Sequence, residues 1–587
     1  MKETRRQQHD HWPQYCRSQY WRSQDCLSQW HHFLWLHLLL FGSIAGMNWI
    51  VPSGARAQDL GENSFRYLAQ ISHEELDDVD YWRNLCVLQA DAGELEDAIA
   101  SCEQAIALEP EESDLWALHS EVLLLQESYP EAIASATQAL NFDEENSLAL
   151  ANQCVAFFEL EQTEKALDLC NEALRINGSW GDRSPAVAWR QRGRLLNQRG
   201  DFDQALTAYD RTLLLEPEDS LTLAYRCQVF VNLNQLQDAI DSCQQALAGN
   251  GNWGSESSAL AWNFQGVAQQ QLRQYDEAIA AYDQALSIDP ENVTTWTNQG
   301  RLLERLQQSE EALVSYTQAV TLQADHSRAL VGQCAMLNQL GQYEAALEAC
   351  DQAIAGDGAW WQPGAAQAWS QKSFALSGLG QTEEALAVAN RAVGIRPTYA
   401  EAWNNRAVVL WYLERYAEAV ESTNRAIELD AAYARPWATQ GSIRRALGQY
   451  ELALMAYEQA LQINPDVSDV WANRSLVLWH LQDYETAVLS ANRAINLNPE
   501  SFQGWLNRAA ALVALNQVND ALESYQRAVQ LNPTSADAWT GLGVVLIQLE
   551  QVEDATAAIQ QALALNAEQP LAIAVMETLQ NYQMNQP

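Results

Sequence analysis

Lysine is almost missing from these 587 residues: Lys2, Lys165 and Lys372 are the whole set, and arginine supplies the rest of the 34 basic residues. Against them stand 76 acidic residues, for a net charge of −42. So acidic a chain, with no basic stripe, repels phosphate and argues against nucleic acid as a partner. Solubility is the ordinary consequence, and a preference for basic partners the sharper one. Histidine is scarce as well. Beyond the first 57 residues only His73, His119, His326 and His480 occur, far apart, so neither a zinc site nor a Cys–His nucleophile is expected. No P-loop, GxGxxG, GxSxG or HExxH is present, and acidic residues in turns and on outer helix faces are solvated surface. The expectation is a protein that is not an enzyme and holds neither cofactor nor metal.

Long apolar runs are also lacking, with one exception: residues 33–51, FLWLHLLLFGSIAGMNWIV, preceded by Arg5, Arg6, Arg17 and Arg22. This resembles an export signal. VPSGARAQD follows, where Ala55 and Ala57 form the small-x-small pattern of a signal peptidase site, so cleavage would leave a chain starting at Gln58. The alternative is an uncleaved anchor, because about 19 residues can just span a bilayer, although His37 and Asn48 weaken it. Residues 1–57 are thus a signal peptide or N-terminal membrane anchor, and the membrane is met only through it. Either way the positive-inside bias sends the rest out of the cytoplasm, to a periplasm, lumen or extracellular space.

What the chain has in abundance is itself. From Trp82 one slot recurs at Trp116, Leu150, Trp189, Leu223, Trp262, Trp296, Leu330, Trp369, Trp403, Trp437, Trp471, Trp505 and Trp539, making fourteen units. Ten of the thirteen steps are 34 residues and three are 39. Calling that slot position 0, alanine stands at position 16 in every unit, from Ala98 to Ala555, and at position 23 in all but one, where Thr212 replaces it. Proline closes seven units, at Pro110, Pro217, Pro290, Pro397, Pro465, Pro499 and Pro533, as suits a stop after a helix. Between these markers the apolar spacing is helical, with a short turn such as Glu414–Tyr416 dividing two helices.

This pattern of Trp, small, large, Ala, aromatic, Ala and Pro at 34-residue spacing resembles the tetratricopeptide repeat family over about residues 79–569. It departs at position 3, usually leucine in the family but here mostly Gln or Arg, as in Arg406, Gln440, Arg474 and Arg508. The resemblance implies an all-α, right-handed α-solenoid of about fourteen helical hairpins. Residues 58–78 would cap its start, and 570–587, opening with PLAIAVMETLQ, would form a C-terminal capping helix.

Within the units, positions 4 and 20 compensate in size: Gly193 goes with Tyr209, Gly266 with Tyr282, Gly300 with Tyr316 and Gly441 with Tyr457, whereas Ser120 goes with Ala136 and Ser475 with Ala491. Ala509 with Tyr525 is an exception. Compensation implies contact across the hairpin. The eight cysteines beyond the leader occupy these two slots, always together: Cys86 with Cys102, Cys154 with Cys170, Cys227 with Cys243, Cys334 with Cys350. In an exported chain they read as four disulfides, each closing a short loop worth about 3 kcal/mol; otherwise they are buried thiols acting as apolar fillers.

The three 39-residue steps follow three of those pairs, and each carries Gly-x-Trp: Gly178 and Trp180, Gly251 and Trp253, Gly358 and Trp360. The same units have leucine in the tryptophan slot. The loop tryptophan either fills the space left by the missing one or forms, with its two counterparts, a row of aromatic contacts for a ligand such as a glycan. At position 2 stands asparagine in Asn84, Asn152, Asn298, Asn405, Asn473 and Asn507. The family resemblance places this slot on the concave face, where an amide ladder binds extended polypeptide with little regard to its side chains; it is similar to the ladder of the enzyme that transfers N-acetylglucosamine to serine and threonine. The lysines of the clamp that reads acidic chaperone tails are missing. The expected function is a non-enzymatic scaffold binding other proteins, through basic or extended segments, at or outside the membrane. A carbohydrate-associated or polysaccharide-export factor using the loop tryptophans is the alternative. The export signal with dense repeats resembles bacterial envelope proteins, cyanobacterial ones among them.

Overall fold

The computed structural model describes residues 78–254, 256–360 and 363–584. The expected leader, the cleavage site at Ala55 and Ala57, and all but the last residue of the expected cap at 58–78 lie outside the described residues. Contacts divide the chain into Met1–Asn84 and Leu85–Pro587. Of the first unit, residues 78–84 are described, and they begin helix α1.

Among the described residues there are 29 helices and no strand. They alternate as A and B helices of fourteen hairpins, from α1 (Val79–Asp91) with α2 (Leu95–Leu108) to α27 (Ala536–Gln548) with α28 (Val552–Leu565), and α29 (Pro570–Met584) follows. The fold is an all-α solenoid of such hairpins. None of the described helices is long and apolar enough to cross a membrane.

Each hairpin is built the same way. Position 11 has a left-handed backbone in all fourteen, by glycine at Gly93, Gly200, Gly341, Gly380 and Gly448 and by residues such as Glu414 (φ 57°) and Asn516 (φ 59°) in the others. One such residue reverses the chain: the following amide reaches back to position 7, as Ser128 N does to the Leu123 carbonyl at 2.9 Å, closing the A helix in a Schellman-type turn. The B helix then folds back along the A helix. All fourteen alanines at position 16 are fully buried. A methyl is the largest group that so close an approach admits.

At the centre of the approach lie positions 4 and 20. A Cβ added to Gly193 would sit 2.3 Å from the Tyr209 ring, and one at Gly266 would sit 2.7 Å from Tyr282. Tyrosine is fully buried in four hairpins for this reason: Tyr209, Tyr282, Tyr316 and Tyr457. The exception has its own cause, since Tyr525 turns to the next hairpin and lies against Gly541, where a Cβ would meet it at 2.2 Å. The four cysteine pairs fill the same place with Cα–Cα separations of 5.3–5.4 Å and bonded sulfurs, a separation that suits a disulfide.

Neighbouring hairpins are tied by the tryptophan slot. The indole Nε1 donates to the carbonyl six residues earlier, 2.9 Å away for Trp116 to Pro110, Trp296 to Pro290, Trp403 to Pro397, Trp505 to Pro499 and Trp539 to Pro533. The proline that ends one repeat thus presents an acceptor to the next. Arginine at position 3, the departure from the family pattern, has a place too: Arg508 donates to Ser524 Oγ at 2.8 Å and lies 5.6 Å from the Trp505 ring centroid, spanning both helices of its hairpin. At the end, Ala572 and Leu579 of α29 are buried in one core with Leu542 and Ile559 of the last hairpin.

Candidate functional site

Because every A helix presents the same face on the same side of the stack, positions −2, 2, 5 and 8 of successive repeats line a common wall. A cavity of about 1020 Å³ opens on it, lined from Gln270 to Thr439 by A helices α11 (Ala259–Gln271), α13 (Val293–Arg305), α15 (Ser327–Gln339), α17 (Ala365–Gly378), α19 (Ala400–Tyr412) and α21 (Ala434–Ala446). Six successive repeats contribute to it.

Its polar groups are interlinked. The Tyr316 hydroxyl donates to Glu304 Oε2 at 2.8 Å, the Tyr399 hydroxyl to Glu401 Oε2 at 2.5 Å, and Gln371 Nε2 to Glu401 Oε1 at 2.9 Å. Asn338 Nδ2 donates to the Gln371 carbonyl at 3.0 Å. Burial, and then the Glu401 charge, push the Tyr399 phenol up, so it stays a donor. Burial raises Glu304 above the usual carboxylate range, with the Glu401 charge adding to it, against the Tyr316 hydrogen bond and the charge of Arg301. A second cavity of about 450 Å³ lies further toward the N-terminus, where the Arg194 guanidinium stands 4.5 Å from the Phe158 ring and the buried Tyr209 hydroxyl has no partner.

The expected amide ladder is placed differently from residue to residue. Asn152, 2% exposed, donates to the Ala117 carbonyl at 2.9 Å, and Asn507 to the Ala472 carbonyl at 2.8 Å. Asn405 reaches Ser370 Oγ at 2.9 Å and Asn298 reaches Asn263 Oδ1 at 3.0 Å. In each the partner stands 35 residues earlier, at position 1 of the preceding repeat, so these amides tie adjacent A helices together. Asn405 also lines the large cavity. Asn473 is half-buried and Asn84 exposed.

The three Gly-x-Trp loops repeat one arrangement. Gly178 N donates to Ser147 Oγ at 2.8 Å, Gly251 N to Ser220 Oγ at 3.0 Å and Gly358 N to Ser327 Oγ at 3.1 Å. Anchored so, Trp180 packs with Leu150, Trp253 with Leu223 and Trp360 with Leu330, each against the leucine in its own repeat's tryptophan slot. Trp180 is 9% exposed. Serine at position −3 supplies this anchor in all three loops, but it also stands at Ser113 and Ser468 in repeats of ordinary length, so Gly-x-Trp remains the mark of the loops. Among the described residues no group of three or more His, Cys, Asp or Glu could hold a metal.

Models of the tetratricopeptide repeat match residues 87–147, 190–252 and 439–502, and further ones match 259–292, 281–314, 366–399, 400–433, 510–550 and 536–569. Together they cover more than half of the chain. Among curated proteins, a DnaJ homolog subfamily C member 7 homolog of Dictyostelium discoideum is 22% identical over 191 residues, 31% of this chain and 34% of that protein. Tetratricopeptide repeat protein 28 of Homo sapiens is 29% identical over 94 residues, 16% of this chain and 4% of that protein. The chain thus spans about a third of the length of one of these relatives and 4% of the other. Among solved structures, the APC/C hetero-tetramer Cut9-Hcn1 is 16% identical with a TM-score of 0.45, covering 88% of this chain and 98% of that one. Yeast Tom70 is 16% identical with a TM-score of 0.34, covering 75% and 96%.

The packing of the loop tryptophans gives a first test. Trp180→Ala should destabilise by about 3–5 kcal/mol, the cost of removing a large core aromatic. Hydrogen exchange should show the opening concentrated between Ser147 and Trp189, and unchanged exchange there would mean that the ring is not part of the core.

Proposed function

The chain belongs to the tetratricopeptide repeat family, and from that premise we propose that it is a non-enzymatic scaffold that takes up extended polypeptide segments along the face formed by its A helices. One observation carries this: six consecutive repeats contribute polar and aromatic side chains to one large cavity, a continuous wall along which a polypeptide segment can lie. Amides on its wall can both donate to and accept from a peptide backbone, with Glu304 and Glu401 adding acceptors and Arg301, Arg305, Arg328 and Arg435 adding donors. The net charge of −42 favours basic segments at long range. The loop tryptophans lie against their leucines and do not favour the carbohydrate alternative.

We place this activity outside the cytoplasm, with residues 1–57 as signal peptide or anchor. The apolar run at 33–51 and the four cysteine pairs, whose oxidation needs an oxidising compartment, support that location. There the scaffold would assist the assembly of complexes at or beyond the membrane.

A photo-reactive residue at Gln367, which lines the cavity, should capture a polypeptide in native-host extracts, and one at Glu348, on the outer side of the neighbouring B helix, should not. Equal capture at both, or none at Gln367, would contradict the groove reading. The location is tested separately: the intact mass of the native protein should begin at Gln58 and rise by about 8 Da when four disulfides are reduced. A chain carrying its leader with no mass gain would place it elsewhere.

A further inference from the structure

We propose that the smaller cavity, of about 450 Å³ and lined by repeats 3 to 5, is a binding site for a small uncharged planar molecule whose carbonyl accepts from the Tyr209 hydroxyl. It is separate from the large cavity and does not rest on the groove reading above.

Four hairpins pair glycine at position 4 with a fully buried tyrosine at position 20, and in three of them the phenol is met from the A helix of its own hairpin. Tyr282 donates to Gln270 Oε1 at 2.9 Å and Tyr316 to Glu304 Oε2 at 2.8 Å, both partners standing at position 8, and the Tyr457 hydroxyl lies 3.0 Å from Ser442 Oγ at position 5. In repeat 4 these two places hold Asn197 and Arg194. Asn197 is one methylene shorter than glutamine, and its amide is turned to the next A helix, donating to Gln228 Oε1 at 2.9 Å and accepting from Asn232 Nδ2 at 3.3 Å. The Tyr209 hydroxyl is left without a partner. Buried groups so left are rare in folded proteins. Burial pushes this phenol up, so it stays a donor.

Tyr209 lines the cavity, which is walled by A helices α5 (Ser147–Glu159), α7 (Ala186–Arg199) and α9 (Ser220–Asn232) and by α8 (Phe202–Leu215). The charged residues of its lining are Arg194 and Arg199, and both already hold carboxylates: Glu159 lies 3.4 Å from Arg194, and Asp201 and Glu164 lie 3.1 and 3.7 Å from Arg199. With each cation answered, the site favours an ion of neither sign.

Flat surfaces dominate the rest of the wall. The Arg194 guanidinium stands 4.5 Å from the Phe158 ring centroid and 5.3 Å from that of Tyr225, and Phe202 adds a third ring. Such groups stack on planar ligands. The amide relay from Asn232 through Asn197 ends on the Nε2 group of Gln228, a further donor on the lining. An uncharged plane carrying a carbonyl answers the rings, the charge balance and the unspent donor together. Tyr209 is closed to bulk water, so the ligand reaches its hydroxyl by turning aside the half-buried Asn197.

Benzamide is the probe, titrated into the full-length chain and followed by ligand-observed NMR. It should bind saturably, and benzoate and benzamidine, its charged counterparts of similar shape, should bind more weakly. Tyr209→Phe removes only the donor and should weaken benzamide about two- to tenfold, the worth of one hydrogen bond, without loss of stability, because the hydroxyl has no partner to lose. Tyr282→Phe should leave binding as it was. Asn197→Gln gives repeat 4 the position-8 residue of repeat 6 and should also weaken benzamide, by supplying Tyr209 with an acceptor of its own; it provides the comparison should Tyr209→Phe fail to fold. Three results would each overturn the site: no saturable binding, equal binding by the parent and the altered chain, as for a hydroxyl met by water alone, or tighter binding of either charged counterpart.

Discussion

Everything above the single helix depends on how closely two helices may approach at positions 4 and 20 of each repeat. Four hairpins hold the two Cα atoms 5.3–5.4 Å apart with a disulfide. Others, such as those of Gly193 and Gly441, give up the side chain on one helix so that a buried tyrosine can fill the gap from the other. Still others place two small residues there, as with Ser120 and Ala136, and Ser120 uses its hydroxyl to donate to the Ala132 carbonyl at 2.8 Å. These fillings serve one spacing, and the fully buried alanine at position 16 keeps that spacing constant along the stack.

A constant hairpin makes the joints between hairpins interchangeable. Indole to proline carbonyl, and the amides of Asn152, Asn298, Asn405 and Asn507 to the A helix before them, recur with fixed offsets. Where leucine takes the tryptophan slot, the joint is rebuilt from a longer loop whose glycine amide is held by serine and whose tryptophan comes back to the leucine. The stack therefore continues through two kinds of repeat. Its A helices stay in line, and that alignment is the source of the groove and its chemistry.

Much of this was legible in the chain. Periodicity located the hairpins, and size compensation between positions 4 and 20 located their contact, because a steric constraint repeated fourteen times leaves its mark on composition. Asparagine at position 2 was harder. Its place in the repeat identifies the face, but the use of the amide depends on position 1 of the preceding repeat, where Ala117, Ala472 and Ser370 present an accessible acceptor. A 35-residue pairing of that kind can be read only after the repeats have been stacked. The large cavity was not legible at all, since residues such as Glu304 and Glu401, 97 positions apart in the chain, line it together only once the intervening repeats are stacked.

The central claim is that positions 4 and 20 form one steric site with interchangeable fillings, and exchanging one filling for another tests it most directly. Under reducing conditions, Cys154→Gly with Cys170→Tyr should give a chain whose urea unfolding midpoint matches or exceeds that of the reduced parent, because the ring then occupies the space that Tyr209 occupies beside Gly193. Cys170→Tyr alone should lower it, reflecting an unfolding free energy reduced by about 1–3 kcal/mol by an overpacked core. If the single and double variants are destabilised alike, the two positions do not share a site and the account fails.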